Sequence, residues 1–504
     1  MNEILNNSKV IGAVYAVFDK DKLIEARAFG RANIEQNRPL TIDTNMRLAS
    51  LSKVVTTAAI MQLSERGQLD IDGDIGDYLG YQVRNPKHPA ISITVRRLLT
   101  HTSSLNDDGG YNALLEHDPG LLLTMPLSNL IACNHRLTAN SWYSEQTFLN
   151  KRPGEYFLYS NLGYIVLGSI VERVAGINFR DYCQTNIFEP LKMQAAFDAA
   201  AVDWQSTATL YRYNDNAVPF PSKSDYKNIA PKPIEIKLPL GNAAGYGPQG
   251  GLMCSVPDYA RFLGMIASSG TYNGVQVLSK ASCDVMQQLQ WFTPLTDQSD
   301  NAGVGYWQAG LDLQVTDDLV KNLRLAGHGG DAYGLIAGAY YDRISGKGFV
   351  MAFTGGQYLP DQSCLGYYSV ETDFATAIVR RHAGFFEKSP IIVAAIAGSQ
   401  TVSVNSRTII LPENLTVDKD MVPEITLNDV LGTPIKSLNA DAEEIELTCG
   451  AKTLKFVCGS TVAETGEGAK IALATAPYRK AGHFFLPLVA VRDYFEITAE
   501  INGR

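Results

Sequence analysis

Apolar positions along this chain follow two different periods, and their order outlines a fold. Residues 12–18 (GAVYAVF) read as a strand, Asp19-Lys20-Asp21 as a turn, and 23–29 (LIEARAF) as the hairpin partner. From 50 to 66 the spacing becomes helical through Leu51, Val55, Ala58, Ala59 and Met61, and Gly67 closes the run. A short helix is expected over 1–9. A strongly apolar helix is expected over 162–174 with Gly176 behind it, and helix continues over 179–187. Pro257 opens a further helix in its first turn, and Gly270 follows its end. Strands are expected at 305–311, 320–325, 335–341 and 348–353, then a helix over 370–382. Segments 106–150 and 200–250, rich in Gly, Asn and Pro, read as loops.

Strands, a helical block, antiparallel strands and a last helix make an α/β architecture. The expectation is an antiparallel sheet flanked by helices, with a helical domain inserted between first and last strands that pair. A break falls at 385–390. Beyond it, short strands at 401–404, 408–411, 445–447 and 453–457 dominate. The chain therefore divides into a domain of residues 1–386 and a small β-rich domain of residues 387–504.

Composition narrows the function classes. A net charge of −9, with no basic run, argues against a nucleic-acid partner. The longest apolar stretches, such as 391–397, fall far short of the ~20 residues of a membrane helix, so no membrane span is expected. The N-terminus carries no basic region before an apolar core, so a cytoplasmic protein is expected, or a secreted or cell-surface one if a leader has been removed. Seven scattered cysteines do not form a disulfide framework; Cys449 and Cys458 are the pair that could meet across a hairpin. The seven histidines are dispersed, no Cys/His cluster has ligand spacing, and neither metal nor cofactor is expected.

Three short stretches carry the candidate chemistry. The first is Ser50-Leu51-Ser52-Lys53 at the start of a helix. Residues three apart share a helix face, about 5–6 Å between Cβ atoms, so the lysine amine can lie beside the serine hydroxyl. An ammonium there stabilises an alkoxide, and a desolvated lysine accepts a proton. Ser50 also fits a plain N-cap. The second is Tyr159-Ser160-Asn161, in a loop before the apolar helix. Beside an ammonium the tyrosine pKa is expected to fall, making phenolate a usable base, and Asn161 offers donor and acceptor to a substrate amide. A core tyrosine and a capping asparagine read equally well. The third is Gly327-His328-Gly329-Gly330-Asp331 between strand candidates. Glycines there let backbone approach a ligand, and the N–H groups of Asp331 and Ser50 could together take an oxyanion. A turn with a surface histidine is the alternative.

Ser-x-x-Lys, Tyr-x-Asn and His-x-Gly in this order resemble the serine penicillin-recognising family: class C β-lactamases, D,D-peptidases, and esterase and D-aminopeptidase relatives. Leu98-Leu99-Thr100-His101-Thr102-Ser103 and Gly250-Gly251-Leu252-Met253-Cys254-Ser255 agree with it, and the likeness covers about residues 8–384. The resemblance implies a β-lactamase/transpeptidase-like fold and a serine hydrolase acting on a small-molecule or peptide substrate. In that scheme Ser50 is acylated, Lys53 exchanges its proton and Tyr159 is the general base. Asn161, His328, Gly329, Gly330 and Asp331 bind substrate, and His101 is structural. Antibiotic-directed relatives usually carry lysine where His328 stands, and histidine is more typical of esterases and D-aminopeptidases. A small ester or a D-amino-acid amide or peptide is therefore the expected substrate. The alternatives are a D,D-carboxypeptidase or class C-type β-lactamase, an acyltransferase, and a non-catalytic binding protein on the same scaffold. In the tail, Asp420-Met421-Val422-Pro423 with Val430-Leu431-Gly432 recurs loosely as 484–491 (FFLPLVAV), which resembles the copper amine oxidase N-terminal-like domain of bacterial surface proteins without any copper ligands.

Overall fold

A computed structural model describes residues 1–132, 142–222, 233–234, 239–292, 308–321, 323–361, 366–386, 391–396, 401–404, 407–410, 421–423, 436–437, 444–449, 452–480, 483–487, 489–491 and 497–502. Two compact units result. The first comprises Met1–Thr293, Asp297–Val315 and Leu325–Phe386, and the second the remainder, chiefly Glu387–Arg504.

In the first unit the opening hairpin is β1 (Gly12–Asp19) and β2 (Lys22–Asn33). The closing strands are β3 (Leu325–Ala332), β4 (Leu335–Tyr341) and β5 (Lys347–Phe353). They lie in one sheet in the order β3-β4-β5-β1-β2, with short strands beyond each end. First strands thus pair with last ones, antiparallel, from Ala13 opposite Phe353 to Asp19 opposite Lys347. Ala13 through Phe18 are essentially inaccessible to water, because both neighbours and both faces of β1 are covered. That explains an unbroken apolar run in an antiparallel sheet, where one solvated face would have imposed alternation. Four helices matter to the site: α1 (Ser52–Glu65), α2 (Asn161–Ala175), α3 (Val256–Ala267) and α4 (Ser369–Arg381). Helix α3 packs on β1 and β5, bringing Gly264 against Lys20 and the Phe18 ring. On the opposite face of β1, Phe374 of α4 makes edge contacts with Tyr15 and Phe353. Each such fully buried aromatic or aliphatic side chain contributes about 1.5–3 kcal/mol of transfer free energy. Helix α1 packs on α2 within the helical region, and both are buried nearly all round.

Two expectations are revised, and a third is described only in part. The strand expected at 320–325 instead begins at Leu325 and carries the Gly-His-Gly-Gly stretch within it, because β4 supplies a full antiparallel partner from Ala326 to Ala332. The segment 106–150 contains helices Gly110–His117 and Ser128–Ile131. Gly109 and Gly110 sit where a side chain would strike Thr147 and Trp142, so packing rather than looping accounts for the glycines. Of the strand expected at 305–311, the structure describes Gln308–Ala309, and 305–307 lie outside the described residues.

The second unit is β-rich. Its sheets include Glu444–Cys449 paired with Lys452–Val457, with Leu447 and Leu454 buried against each other's strand, and Ile391–Ile396 parallel to Ile497–Asn502. Cys449 pairs with Lys452 at the turn of its hairpin while Glu444 pairs with Val457 at the other end, so the register sets Cys449 and Cys458 at opposite ends of the hairpin, against the pairing that the sequence left open. Met421–Pro423 pairs with His483–Pro487, setting the two halves of the tail repeat side by side; Asp420 and residues 430–432 lie outside the described residues. Among the described residues no single helix is long and apolar enough to cross a membrane.

Candidate active site

Ser50 sits in a 3-10 turn, Ala49–Leu51, that leads into α1. Ala49 holds a left-handed φ of 48°, a conformation that costs a non-glycine residue roughly 1 kcal/mol or more and is kept where the surroundings impose it. The surroundings are identifiable. Ser52 donates to the Ala49 carbonyl at 2.6 Å and accepts from the Leu252 amide at 2.9 Å. Tyr259 of α3 donates to the Leu51 carbonyl at 2.9 Å. The 250–255 stretch is therefore the cradle of the nucleophile turn. From the other side, a side chain at Gly330 would come within 2.8 Å of the Leu48 carbonyl and 3.5 Å of the Ser50 amide. Only glycine lets β3 approach Ser50 so closely.

Lys53, one turn into α1, is completely buried. Its Nζ donates to Ser50 Oγ at 3.0 Å, Asn161 Oδ1 at 2.9 Å and the Gln249 carbonyl at 2.7 Å. Three acceptors match the three donors of an ammonium. Burial nevertheless pulls its pKa down to about 7, against the opposing pull of Asp312 and Asp107. A neutral amine donates only twice and can accept the Ser50 proton, so both states that a proton exchange requires are accessible near neutrality.

The Tyr159 ring lies 4.7 Å from Lys53 Nζ and stacks on His101 at 4.4 Å between centroids. Its phenol is hydrogen-bonded to Ser50, yet burial, with Asp312 behind it, pushes its pKa well above the ordinary tyrosine range. This reverses the direction expected from sequence: desolvation outweighs the neighbouring ammonium. Asn161 is the first residue of α2, with Ser160 as its N-cap accepting from Gly163 N–H at 3.1 Å.

The structure brings Ser50, Tyr159, Asn161, His328, Gly329, Gly330 and Asp331 around one cavity of about 620 Å³, whose wall also includes Arg47, Tyr111, Tyr333, Tyr368 and Glu371, with Lys53 behind the wall on Ser50. Their distribution differs from expectation in one respect. The His328 side chain is only 1% exposed, and its Nε2 lies 3.4 Å from the buried Asp312 carboxylate. Its ring is turned to that carboxylate. Asp331 is exposed and accepts from the Tyr368 hydroxyl at 3.0 Å.

Four contributors escaped the sequence. Asp107 receives Ser160 Oγ–H at 2.8 Å and the amides of Asn161 at 2.8 Å and Leu162 at 3.0 Å. Gln249 acts through its carbonyl and leaves no side-chain signature. Tyr164 of α2 places its ring 5.7 Å from Lys53 Nζ. Asp312 did leave a signal, a lone acid in Leu311-Asp312-Leu313. Among the described residues no cluster of His, Cys, Asp or Glu has the makings of a metal site.

The family model described as Beta-lactamase matches residues 2–368. An uncharacterized protein of Mycobacterium tuberculosis is 28% identical over 357 residues, 66% of this chain and 81% of that protein. The esterase EstB of Burkholderia gladioli is 28% identical over 327 residues, 62% of this chain and 78% of that protein. Among solved structures, the octameric penicillin-binding protein homologue of Pyrococcus abyssi superposes with a TM-score of 0.55 at 19% identity, covering 96% of this chain and 98% of that one, a likeness of fold.

Proposed function

Since this chain belongs to the β-lactamase family, whose members are serine hydrolases, we propose that it hydrolyses a small ester or a D-amino-acid amide through an acyl-enzyme on Ser50. The observation that carries this reading is the Lys53 amine 3.0 Å from Ser50 Oγ in a fully buried setting. In the neutral state Lys53 takes the Ser50 proton as the hydroxyl attacks the acyl carbon, and Tyr159 relays it to the leaving group. The tetrahedral oxyanion is received by the amides of Ser50 and Asp331, and Asn161 orients the acyl amide while it holds Lys53. Water then attacks the acyl group with the same pair acting in reverse. The high phenol pKa of Tyr159 favours Lys53 as the first proton acceptor.

The ester or amide preference is supported by His328, which is turned to Asp312 and offers no free cation to a substrate carboxylate. The EstB relative is named an esterase, which agrees. One observation favours a second reading: Arg47 presents a guanidinium on the cavity wall, 5.7 Å from the Tyr333 ring. An arginine there suits a carboxylate-bearing substrate, as in a D,D-carboxypeptidase or β-lactamase. The test is intact-mass labelling with a fluorophosphonate, followed by kcat/KM for p-nitrophenyl esters, D-amino-acid anilides and nitrocefin. Ester or anilide turnover well above nitrocefin is expected, and nitrocefin as the best substrate selects the second reading. Release of a methyl or amine adduct in place of the free acid, when an alcohol or amine is added, would mark an acyltransferase. The β-rich second unit we assign an accessory role, since every residue of this mechanism lies before 387.

A further inference from the structure

Beneath Tyr159 lies a layer that the serine–lysine–tyrosine chemistry does not use. It consists of His101, Asp312 and His328, with side chains exposed by 1% or less. Asp312 Oδ1 is 3.6 Å from His101 Nε2 and 3.4 Å from His328 Nε2. The His101 ring stacks on Tyr159 at 4.4 Å, and the His328 ring centre is 6.2 Å from that of Tyr159. The backbone is bent to make the layer: Asp312 has φ 59° and His101 φ 56°, both left-handed. The amide of Asp312 is anchored on the Leu99 carbonyl at 3.0 Å.

Hydrogen bonds locate the protons. The Ser160 amide donates to His101 Nδ1 at 3.1 Å. That nitrogen is therefore bare, and the His101 proton sits on Nε2, facing Asp312. His328 is arranged the other way round. Its Nδ1 is 2.5 Å from the Gly329 carbonyl, which can only accept, so Nδ1 carries a proton. Nε2 then lies 3.4 Å from Asp312 Oδ1, and a proton held between the two relieves the repulsion of their lone pairs. A carboxylate buried without a compensating cation is strongly disfavoured, whereas one paired with an imidazolium is tolerated.

We propose that Asp312 is a positioning residue that shares one proton with His328, holds it as an imidazolium, and pins neutral His101 under Tyr159. Its electrostatics agree. Burial is the largest single influence on Asp312 and opposes ionisation, but the two histidines together hold its carboxyl below the usual range. Burial keeps His101 below the ordinary imidazole range. The titratable groups that feel the charge of Asp312 are His101, His328 of β3, Tyr159, Tyr164 of α2, Lys53 of α1 and Tyr259 of α3. Among them the imidazolium of His328 supplies the charge that offsets Asp312 beside Tyr159. The position that carries lysine in antibiotic-directed relatives is thereby cationic here too, with its charge spent inward.

The catalytic consequence rests on the acyl-enzyme reading; the protonation state does not. Histidine-selective 15N NMR on the full chain, with His328→Gln for assignment, reads it directly. At pH 7–8 both His328 ring nitrogens should be protonated, and His101 on Nε2 alone. A His328 protonated on one nitrogen overturns the proposal. The second arm is the isosteric Asp312→Asn. It should lower kcat/KM about tenfold or more and displace its pH profile, and adding His328→Gln should cost little further, as for groups acting as a unit. An unchanged profile with additive losses overturns the positioning role. Should Asp312→Asn not fold, the NMR arm on the wild type decides. Fluorophosphonate labelling of wild-type Ser50 separately reports whether the acyl-enzyme reading holds.

Discussion

Asp107 holds Asn161 through its backbone, its carboxylate accepting the Asn161 amide at 2.8 Å from 54 positions away in the chain. The same carboxylate takes the Leu162 amide and the Ser160 hydroxyl. Two of the four N–H groups that a helix N-terminus leaves without intrahelical partners are thus satisfied from a distant loop, by a negative charge at the positive end of the dipole. The cap and the site are one construction, because Asn161 in turn holds Lys53. Asp107→Ala should cost about 1–3 kcal/mol of stability, the range for removing a charged hydrogen-bond acceptor. It should also lower acylation of Ser50, with Asp107→Asn intermediate. Urea midpoints and kcat/KM measured together check this; a variant that loses stability alone would separate the cap from the chemistry.

Two serines compete for the role of nucleophile in the first motif, and their surroundings distinguish them. Ser52 is fully buried and spends both its donor and an acceptor on Ala49 and Leu252. Ser50 opens on the cavity and meets Lys53. Ser50→Ala should abolish fluorophosphonate labelling with little change in stability. Ser52→Ala should still label, more slowly, and lose about 1–3 kcal/mol through the unsatisfied Leu252 amide. Adduct mass after peptide mapping settles which serine reacts.

Motif order made the site legible because a few residue types at fixed spacing suffice for the chemistry. Ser50, Lys53, Tyr159 and Asn161 are close neighbours in the structure although 108 positions separate the lysine from the asparagine. Periodicity likewise exposed β1, β4 and β5, which are long and buried but for Asp19 and Lys347 at strand ends. It failed at β3, where Gly327, Gly329 and Gly330 remove the side chains that define a strand pattern. It also failed for Asp107 and Asp312, whose partners come from remote segments. The direction in which the Tyr159 pKa moves was beyond a local reading for the same reason: burial and Asp312 dominate it, and neither is visible in the residues around it.

Lys53 and Tyr159 are expected to behave as one proton-transfer unit. Lys53→Ala and Tyr159→Phe should each lower acylation by about 10²–10⁴-fold, and the double variant little more. The pH dependence follows from the lysine. Its pKa is lowered to about 7 by burial, so the neutral, proton-accepting form grows as pH rises through 7, and acylation should rise with it. Burst-phase rates from pH 5.5 to 9 check this. An acid limb that survives Lys53→Ala unchanged would assign it to another group.

Glu371 makes the last prediction, which concerns stability. It sits in the first turn of α4, where the dipole and the Tyr368 amide, donating to Oε2 at 2.9 Å, favour the carboxylate. Burial overrides both, with Asp331 adding to it, and raises the pKa to about 8. The sign follows from linkage. Between the ordinary carboxyl pKa, about 4.3, and about 8, the folded state keeps a proton that the unfolded state has released. Folding stability due to this group therefore falls as pH rises through that window, and levels off above it. A tenfold change in a proton-binding constant corresponds to about 1.4 kcal/mol, so the full effect across the window is a few kcal/mol. Glu371→Gln retains an oxygen for the Tyr368 amide and removes the ionisation. The variant should match wild type in urea unfolding near pH 4.5 and exceed it at pH 9. Lys53 acts in the opposite direction, its lowered pKa raising stability as pH climbs from about 7 toward its ordinary value. That contribution is common to both proteins and cancels in their difference. Parallel stability profiles for the two would show that Glu371 is ionised in the folded state at neutral pH.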